Sequence, residues 1–522
     1  MKLDTQMKEQ LASVFSQLAG TISLVADSSS HAHQAELLEM LEEVKSTSDK
    51  IRVVLSEKQS DSPRFHLRRD DRPNGISFRG IPGGHEFTSL ILAILNSDRK
   101  GKLPEGGIAA RIRALKGPIR LRTYISLTCE NCPDVVQALN QMAVLHDDFE
   151  HEMVDGQYAQ SEIDALNIQG VPSIVVGDKM IHSGRIAFVD LLKKLEDTFG
   201  ADTVEASGEI LNLGHFDTVV VGGGPAGASA AIYSVRKGMK TAIIAERIGG
   251  QVQDTKGIEN LIGVTYTEGP ELSGKLYEHI RSYPVRLLEQ RRVSGIVKNA
   301  TTGKTEISIE GGESLTADSV IITTGAKWRE LGVPGEKEYI GRGVAFCPHC
   351  DGPYYKGKKI SVIGGGNSGV EAAIDLAGIV REVVLVEYND ELKADKVLID
   401  KLLSLPNVSV VKSAKTSAVI GDGQKVIAME YVDRKTEKLQ RIELDGVFVQ
   451  IGLLPNSGFL KGLVELTKFG EIVVDNKGRT SVPGIYAAGD VTTTPFKQIV
   501  IALGEGAKAA LAAFEDRMYK TA

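Results

Sequence analysis

Two α/β parts of different character, joined by an acidic connector, are predicted for this chain, and three observations predict them. Residues 214 to 522 are rich in Val, Ile, Ala and Gly runs that read as buried parallel strands feeding helices. Residues 1 to about 200 mix short strands with amphipathic helices and lack glycine-rich turns. Between them, DTFGADTVEASGEILNLGHF is acidic, small and aperiodic, the composition of an exposed linker that lets each part fold alone. At 522 residues the chain has room for three or four domains, at about one per 150 residues.

Composition narrows the function. With 42% hydrophobic and 25% charged residues the chain buries ordinary cores. A net charge of −7 offers no electrostatic reason to bind nucleic acid. The opening MKLDTQMKEQLASVFSQLAG has no apolar core region, so no secretory signal is expected. No run of 18 apolar residues predicts a membrane span. A cytoplasmic address is therefore expected, where thiols stay reduced and close cysteine pairs are redox-active or metal-binding rather than structural. The four cysteines form two such pairs, Cys129/Cys132 and Cys347/Cys350.

The first part reads as a duplication. In its second half the strand RTYISL runs into Cys129, and a helix follows with Val135, Val136, Leu139, Met142 and Ala143 on one face. Then come GVPSIVV, the turn GDK, a short strand and the helix RIAFVDLLKKL. The first half repeats this order more loosely. GTISLVADSSSH enters a helix, SPRFHL precedes a turn over RRDDRPNG, and ISFRG leads to the helix HEFTSLILAIL. Where the second copy has its cysteines, the first has roughly Ser28 to His31 and no thiol.

A strand, a Cys-x-x-Cys opening a helix, and a Val-Pro about 40 residues on form a thioredoxin-like arrangement. A thiol at a helix N-terminus faces unpaired N–H groups and the positive end of the dipole, which favour the thiolate. The thiolate attacks, and its partner one turn away resolves the mixed disulfide. Cys129 is the expected nucleophile and Cys132 the resolving thiol. Pro133 costs no helical hydrogen bond so early in the helix, and Pro172 is expected to follow a cis bond. The competing reading, half of a zinc site, lacks a second ligand pair at zinc-finger spacing.

The second part carries two nucleotide signatures. In DTVVVGGGPAGASAAIYSVRKG an apolar strand meets Gly222-x-Gly224-x-x-Gly227 and an alanine-rich helix, and TAIIAE ends at Glu246, placed to accept from a ribose. KKISVIGGGNSGVEAAIDLAG repeats this with Gly364-x-Gly366-x-x-Gly369, and EVVLVE ends at Glu387. Two copies call for two dinucleotides. Glu387 would repel a 2′-phosphate, and the following YNDEL offers no arginine to hold one, so NADH is expected over NADPH. Between the signatures stands CPHCD, whose Asp351 directly follows Cys350 and is placed to shuttle a proton.

The chain is similar to a known family. Residues 214 to 522 resemble low-molecular-weight thioredoxin reductase, and the whole chain resembles the flavoprotein F subunit of bacterial alkyl hydroperoxide reductase, on the two glycine loops, CPHCDG, AAGD and TCENCP. The resemblance implies tandem thioredoxin-like folds at 1–102 (without the cysteine pair) and 103–199, and a linker at 200–213. Two Rossmann-like domains follow: an FAD domain in two pieces, 214–328 and 456–522, and an NADH domain with the redox pair inserted at 329–455. It implies a homodimer that uses FAD and NADH to reduce a partner peroxiredoxin. Carried over, Cys350 is the sulfur nearest the flavin, Cys347 the one that exchanges outward, and Asp351 the acid–base group. Gln251, Gly325, Asp490 and Gln498 join the first glycine loop around FAD. CENC departs from the Cys-Gly-Pro-Cys of thioredoxin.

Overall fold

The computed structural model describes residues 3–129, 131–168, 170–202, 211–255, 257–299 and 301–520, and only the backbone of His349, Cys350 and Lys520. Residues 203–210 of the expected linker lie outside the described residues. By Cα proximity the chain forms two units. One comprises residues 1–214 with 290–292 and 308–315, and the other 215–289, 293–307 and 316–522.

In the first unit the helices are α1 (Thr5–Phe15), α2 (Gln34–Lys45), α3 (Glu86–Ser97), α4 (Gly106–Arg113), α5 (Cys132–Leu145), α6 (Gln160–Ala165) and α7 (Phe188–Phe199). The strands are β1 (Ile22–Ser29), β2 (Ile51–Ser60), β3 (Arg64–Arg69), β4 (Arg72–Arg79), β5 (Ile119–Ile125), β6 (Phe149–Asp155), β7 (Ser173–Val176) and β8 (Lys179–Ser183). The duplication is visible in the pairing. In each half the first two strands are parallel and the third and fourth antiparallel, giving β2-β1-β3-β4 and then β6-β5-β7-β8. The halves join because β4 pairs β6 in parallel, Ile76 opposite His151 through Arg79 opposite Val154. One eight-stranded sheet results, and the two edges that separate halves would expose are paired with each other. The turn expected over RRDDRPNG is shorter than its composition suggests. Arg68, Arg69 and Arg72 to Asn74 lie in strands, and only Asp70 and Asp71 turn, with φ of 46° and 63°. Two consecutive left-handed residues suit the twist of a tight hairpin.

In the second unit, residues 215–221 of strand Leu211–Val221 lie between Thr241–Ile244 and residues 316–322 of strand Glu313–Ile322. Strand Ile485–Ala487 joins this sheet beside Val320 to Ile322 although some 160 residues intervene, so the domain is built from two pieces. The last helix, Ile499–Lys520, packs on Pro225–Arg236 through Gly506, where a Cβ would stand 2.0 Å from the Ala226 carbonyl oxygen. The intervening domain is a five-stranded parallel sheet with Lys359–Ile363 at its centre, plus a three-stranded antiparallel meander over residues 414–443. The chain enters and leaves it through one antiparallel ribbon, Ala326–Trp328 against Leu453–Pro455. Among the described residues no helix is long and apolar enough to cross a membrane.

Candidate functional site: two cysteine pairs and two glycine loops

Helix α5 begins at Cys132, with Asn131 as its N-cap and Pro133 in its first turn. Cys129 therefore precedes the helix, in a turn where its N–H donates to the Ser126 carbonyl (2.9 Å), so Cys132 rather than Cys129 occupies the expected helix terminus. The two are joined in a disulfide. Cys132 is fully buried and Cys129 only half-buried, which leaves Cys129 as the sulfur open to an outside partner. Pro172 does follow a cis bond, and the Cys129 sulfur lies 3.9 Å from the Val171 carbonyl oxygen just before it.

The apolar face expected for α5 is buried as a set, each fully covered Val or Leu contributing about 1.5–3 kcal/mol. Beneath it, fully buried His151 bridges Asn140 Oδ1 (2.7 Å) on α5 and Thr123 Oγ1 (2.9 Å) on β5. Burial pushes His151 down to about 3, so the ring is neutral and serves as a hydrogen-bonded spacer between helix and sheet.

Glu86 is a group that the motifs do not single out. It opens α3 and is fully buried, and its carboxylate oxygens lack hydrogen bonds of good geometry. Burial raises its pKa to about 7, a push that the nearby charge of Asp134 reinforces and the Ser89 hydroxyl opposes. Asp134 sits in the first turn of α5, so this buried carboxyl lies on the side of the cysteine helix. Its only sequence signal is an acid heading the apolar run EFTSLILAIL.

At the second pair, Cys347 is half-buried and disulfide-bonded, and the side chain of Cys350 lies outside the described residues. Asp351 closes the short helix Pro348–Asp351 and donates its backbone N–H to the Cys347 carbonyl (3.0 Å). Burial pushes its carboxyl up to about 6, into the range where it holds and releases protons near neutrality.

The glycine loops have matching geometry. Gly222 and Gly364 have φ of +117° and +121°, and a Cβ on either would meet a carbonyl oxygen, that of Thr323 at 2.3 Å or of Gln450 at 2.4 Å. A Cβ on Gly227 or Gly369 would lie 2.0 Å or 1.9 Å from the carbonyl oxygen of its loop's first glycine. The middle glycines, Gly224 and Gly366, have nothing within 4 Å of that position. The outer glycines are thus demanded by packing and the middle one opens on free space, as a pyrophosphate seat requires.

Around the first loop, exposed Glu246 lies two residues past its strand, and Gln251 donates through Nε2 to the Ala326 carbonyl. The Gly325 carbonyl accepts from Asn456 N–H (2.9 Å), and Gln498 Oε1 accepts from Asn260 Nδ2 (3.1 Å) just before the last helix, which begins at Ile499. Asp490 makes no hydrogen bond through its carboxylate among the described residues. Burial raises its pKa and Lys497 opposes the rise. A half-buried, unengaged carboxylate beside an open glycine seat suits the polar chain of a dinucleotide such as FAD, and the second loop offers a like seat for NAD(P)H. Glu387 is buried immediately after strand Glu382–Val386 and accepts from the N–H of Gly365 and of Asn389.

Residues 216–506 match the family described as pyridine nucleotide-disulphide oxidoreductase, and 120–197 match a thioredoxin domain. The chain is 50% identical over 519 residues, 99% of each chain, to the F subunit of alkyl hydroperoxide reductase from Pseudomonas putida. The chain belongs to the family of alkyl hydroperoxide reductase F subunits. A Bacillus subtilis (strain 168) relative, 46% identical over 515 residues and 99% of each chain, bears the name NADH dehydrogenase. The crystal structure of thioredoxin reductase from Streptococcus pyogenes MGAS5005 covers 58% of this chain and 99% of its own, at 36% identity and a TM-score of 0.56. Like the rest of its family, this chain is an FAD- and NAD(P)H-dependent disulfide oxidoreductase.

In this member of the reductase family the two kinds of glycine should fail differently. Gly369→Ala forces a Cβ into the Gly364 carbonyl and should lower the melting temperature without any nucleotide present. Gly366→Ala should melt like the parent yet bind NAD⁺ at least about tenfold more weakly, because its methyl fills the pyrophosphate seat. Unfolding scans and an NAD⁺ titration separate them; parental affinity in Gly366→Ala would mean that the open space is not the seat.

Proposed function

We propose that this chain carries electrons from NADH, through FAD, Cys347/Cys350 and Cys129/Cys132, to the disulfide of a partner peroxiredoxin, supporting reduction of hydrogen peroxide and alkyl hydroperoxides. The observation that carries this reading is a second cysteine pair, in a thioredoxin-like fold, with one sulfur half-exposed and the other fully buried. NADH supplies a hydride, and FAD turns it into the electron pair that a disulfide accepts.

The protein's own chemistry is then thiol–disulfide exchange. The Cys347 thiolate attacks Cys129, and Cys350 closes on Cys347, which releases Cys129 and Cys132 reduced. The Cys129 thiolate attacks the partner's disulfide, and Cys132 closes on Cys129, releasing the partner as a dithiol. Each exchange forms one S–S bond for each one broken and moves two electrons, and the departing thiolates take up protons. Asp351 removes the proton from the Cys347 thiol and so frees it to attack. Family resemblance supports a homodimer, and cysteines confined to two redox pairs support a cytoplasmic address.

A second reading is NADH oxidation with another electron acceptor, molecular oxygen above all; the name NADH dehydrogenase, borne by the Bacillus subtilis relative, specifies no acceptor. The deciding experiment follows NADH consumption with a peroxiredoxin, a peroxide, or both. Fast turnover is expected only with both together. A rate just as high with oxygen alone, and indifferent to the cysteines, would establish the oxidase instead.

A further inference from the structure

An arginine from elsewhere in the chain stands beside YNDEL. Tyr388, next to Glu387, is 52% exposed, and the guanidinium of Arg434 lies 4.0 Å from its ring centroid. Arg434 Nη1 donates to the Tyr388 carbonyl (2.8 Å). The backbone fixes this placement. Arg434 N–H donates to the Ser413 carbonyl (2.8 Å), Ser413 N–H to the Asn389 carbonyl (2.9 Å), and Ser413 Oγ to Asp390 Oδ1 (2.8 Å). The turn after strand Val426–Asp433 is thereby stitched to the turn after Glu387. No carboxylate pairs with Arg434 among the described residues, and its Tyr388 bond uses one of its five N–H donors.

We propose that Arg434, stacked on Tyr388, is a specificity-determining residue of the nicotinamide-nucleotide site: it flanks the adenosine half and offers donors beside the ribose 2′ position. The proposal rests on the reading of Gly364, Gly366, Gly369 and Glu387 as that site. In an open α/β sheet the acid at the end of the second strand meets the ribose, so the residue after it and whatever covers that residue stand at the 2′ side. Discrimination is then set by two opposed charges. Glu387 disfavours a 2′-phosphate, and Arg434, whose planar fork suits phosphate oxygens and whose face stacks on aromatic rings, tempers that rejection.

The test uses the full-length flavoprotein and two fragments that differ by one phosphate, 5′-AMP and adenosine 2′,5′-bisphosphate, titrated by calorimetry. Arg434→Ala is expected to weaken the bisphosphate about tenfold and AMP by about threefold or less. Arg434→Lys, which keeps the charge without the fork, should restore part of the bisphosphate affinity. In turnover the Ala variant should raise KM for NADPH with kcat unchanged. An unaltered ratio between the fragments overturns the proposal, including the case where both weaken equally because Arg434 only clips the two turns together. If the parent binds NADH but the ratio does not move, the nucleotide site stands and Arg434 is excluded. If the parent binds neither fragment nor NADH, the site itself is wrongly placed and the proposal falls with it.

Discussion

Replacing Cys129 and Cys132 together by serine is expected to cut peroxiredoxin reduction by a factor on the order of 10² or more, while NADH-driven reduction of a small disulfide dye stays within about twofold of the parent. The dye needs only the first three carriers, which the substitutions leave intact. On the proposed relay the peroxiredoxin needs a thiolate on a domain tethered to its electron source, and such linkage can strengthen association by about 10² to 10⁴. Serine removes that carrier at little cost to the fold, because Cys132 is one small buried side chain in a core that also holds Val135, Val136 and Leu139. Both rates are read by NADH absorbance on the same preparation. Undiminished peroxiredoxin reduction would show that the relay bypasses the N-terminal pair. Point variants are the cleaner test here than deletion of residues 1–207, since the first compact unit includes residues 290–292 and 308–315 and a deletion would cut through it.

Asp351→Asn should lower dithiol-dependent turnover about a hundredfold with KM for NADH unchanged, the usual worth of a positioned acid–base group. The pH profile gives the sign. Burial raises the Asp351 carboxyl to about 6, so it is protonated below that pH and ionised above it. Accepting a proton from the attacking Cys347 thiol requires the ionised form, so parental turnover should rise with pH through about 6. The asparagine variant, which cannot titrate, should lose that limb while keeping its FAD content and its melting temperature. Persistence of the same limb in the variant would assign it to another group.

Much of this site was readable from one sequence because its chemistry is local. Strand, glycine loop and helix are contiguous in both nucleotide signatures, and the last glycine of each loop is demanded by the carbonyl oxygen of that loop's first glycine. The cysteine spacing and the Val-Pro signal are likewise short-range, and the cis bond at Pro172 followed from position alone. The apolar spacing of Val135, Val136, Leu139, Met142 and Ala143 told which face of α5 meets the core. It could not tell that β4 and β6 would merge two folds into one sheet, since edge pairing depends on which unpaired N–H and C=O groups meet in space.

By itself, then, the sequence determined the chemistry: two dinucleotide seats, two cysteine pairs and a carboxyl beside one of them, all encoded within runs of thirty residues or fewer. The tertiary structure decided what surrounds that chemistry. Only packing shows Cys132 sealed and Cys129 open, because exposure is a property of neighbours contributed by distant segments. Only burial lifts Glu86 and Asp351 toward neutrality, since an ionised group loses its hydration when apolar elements close over it. And only the folded meander carries Arg434 across 46 residues to the ring of Tyr388, a contact that no spacing rule encodes.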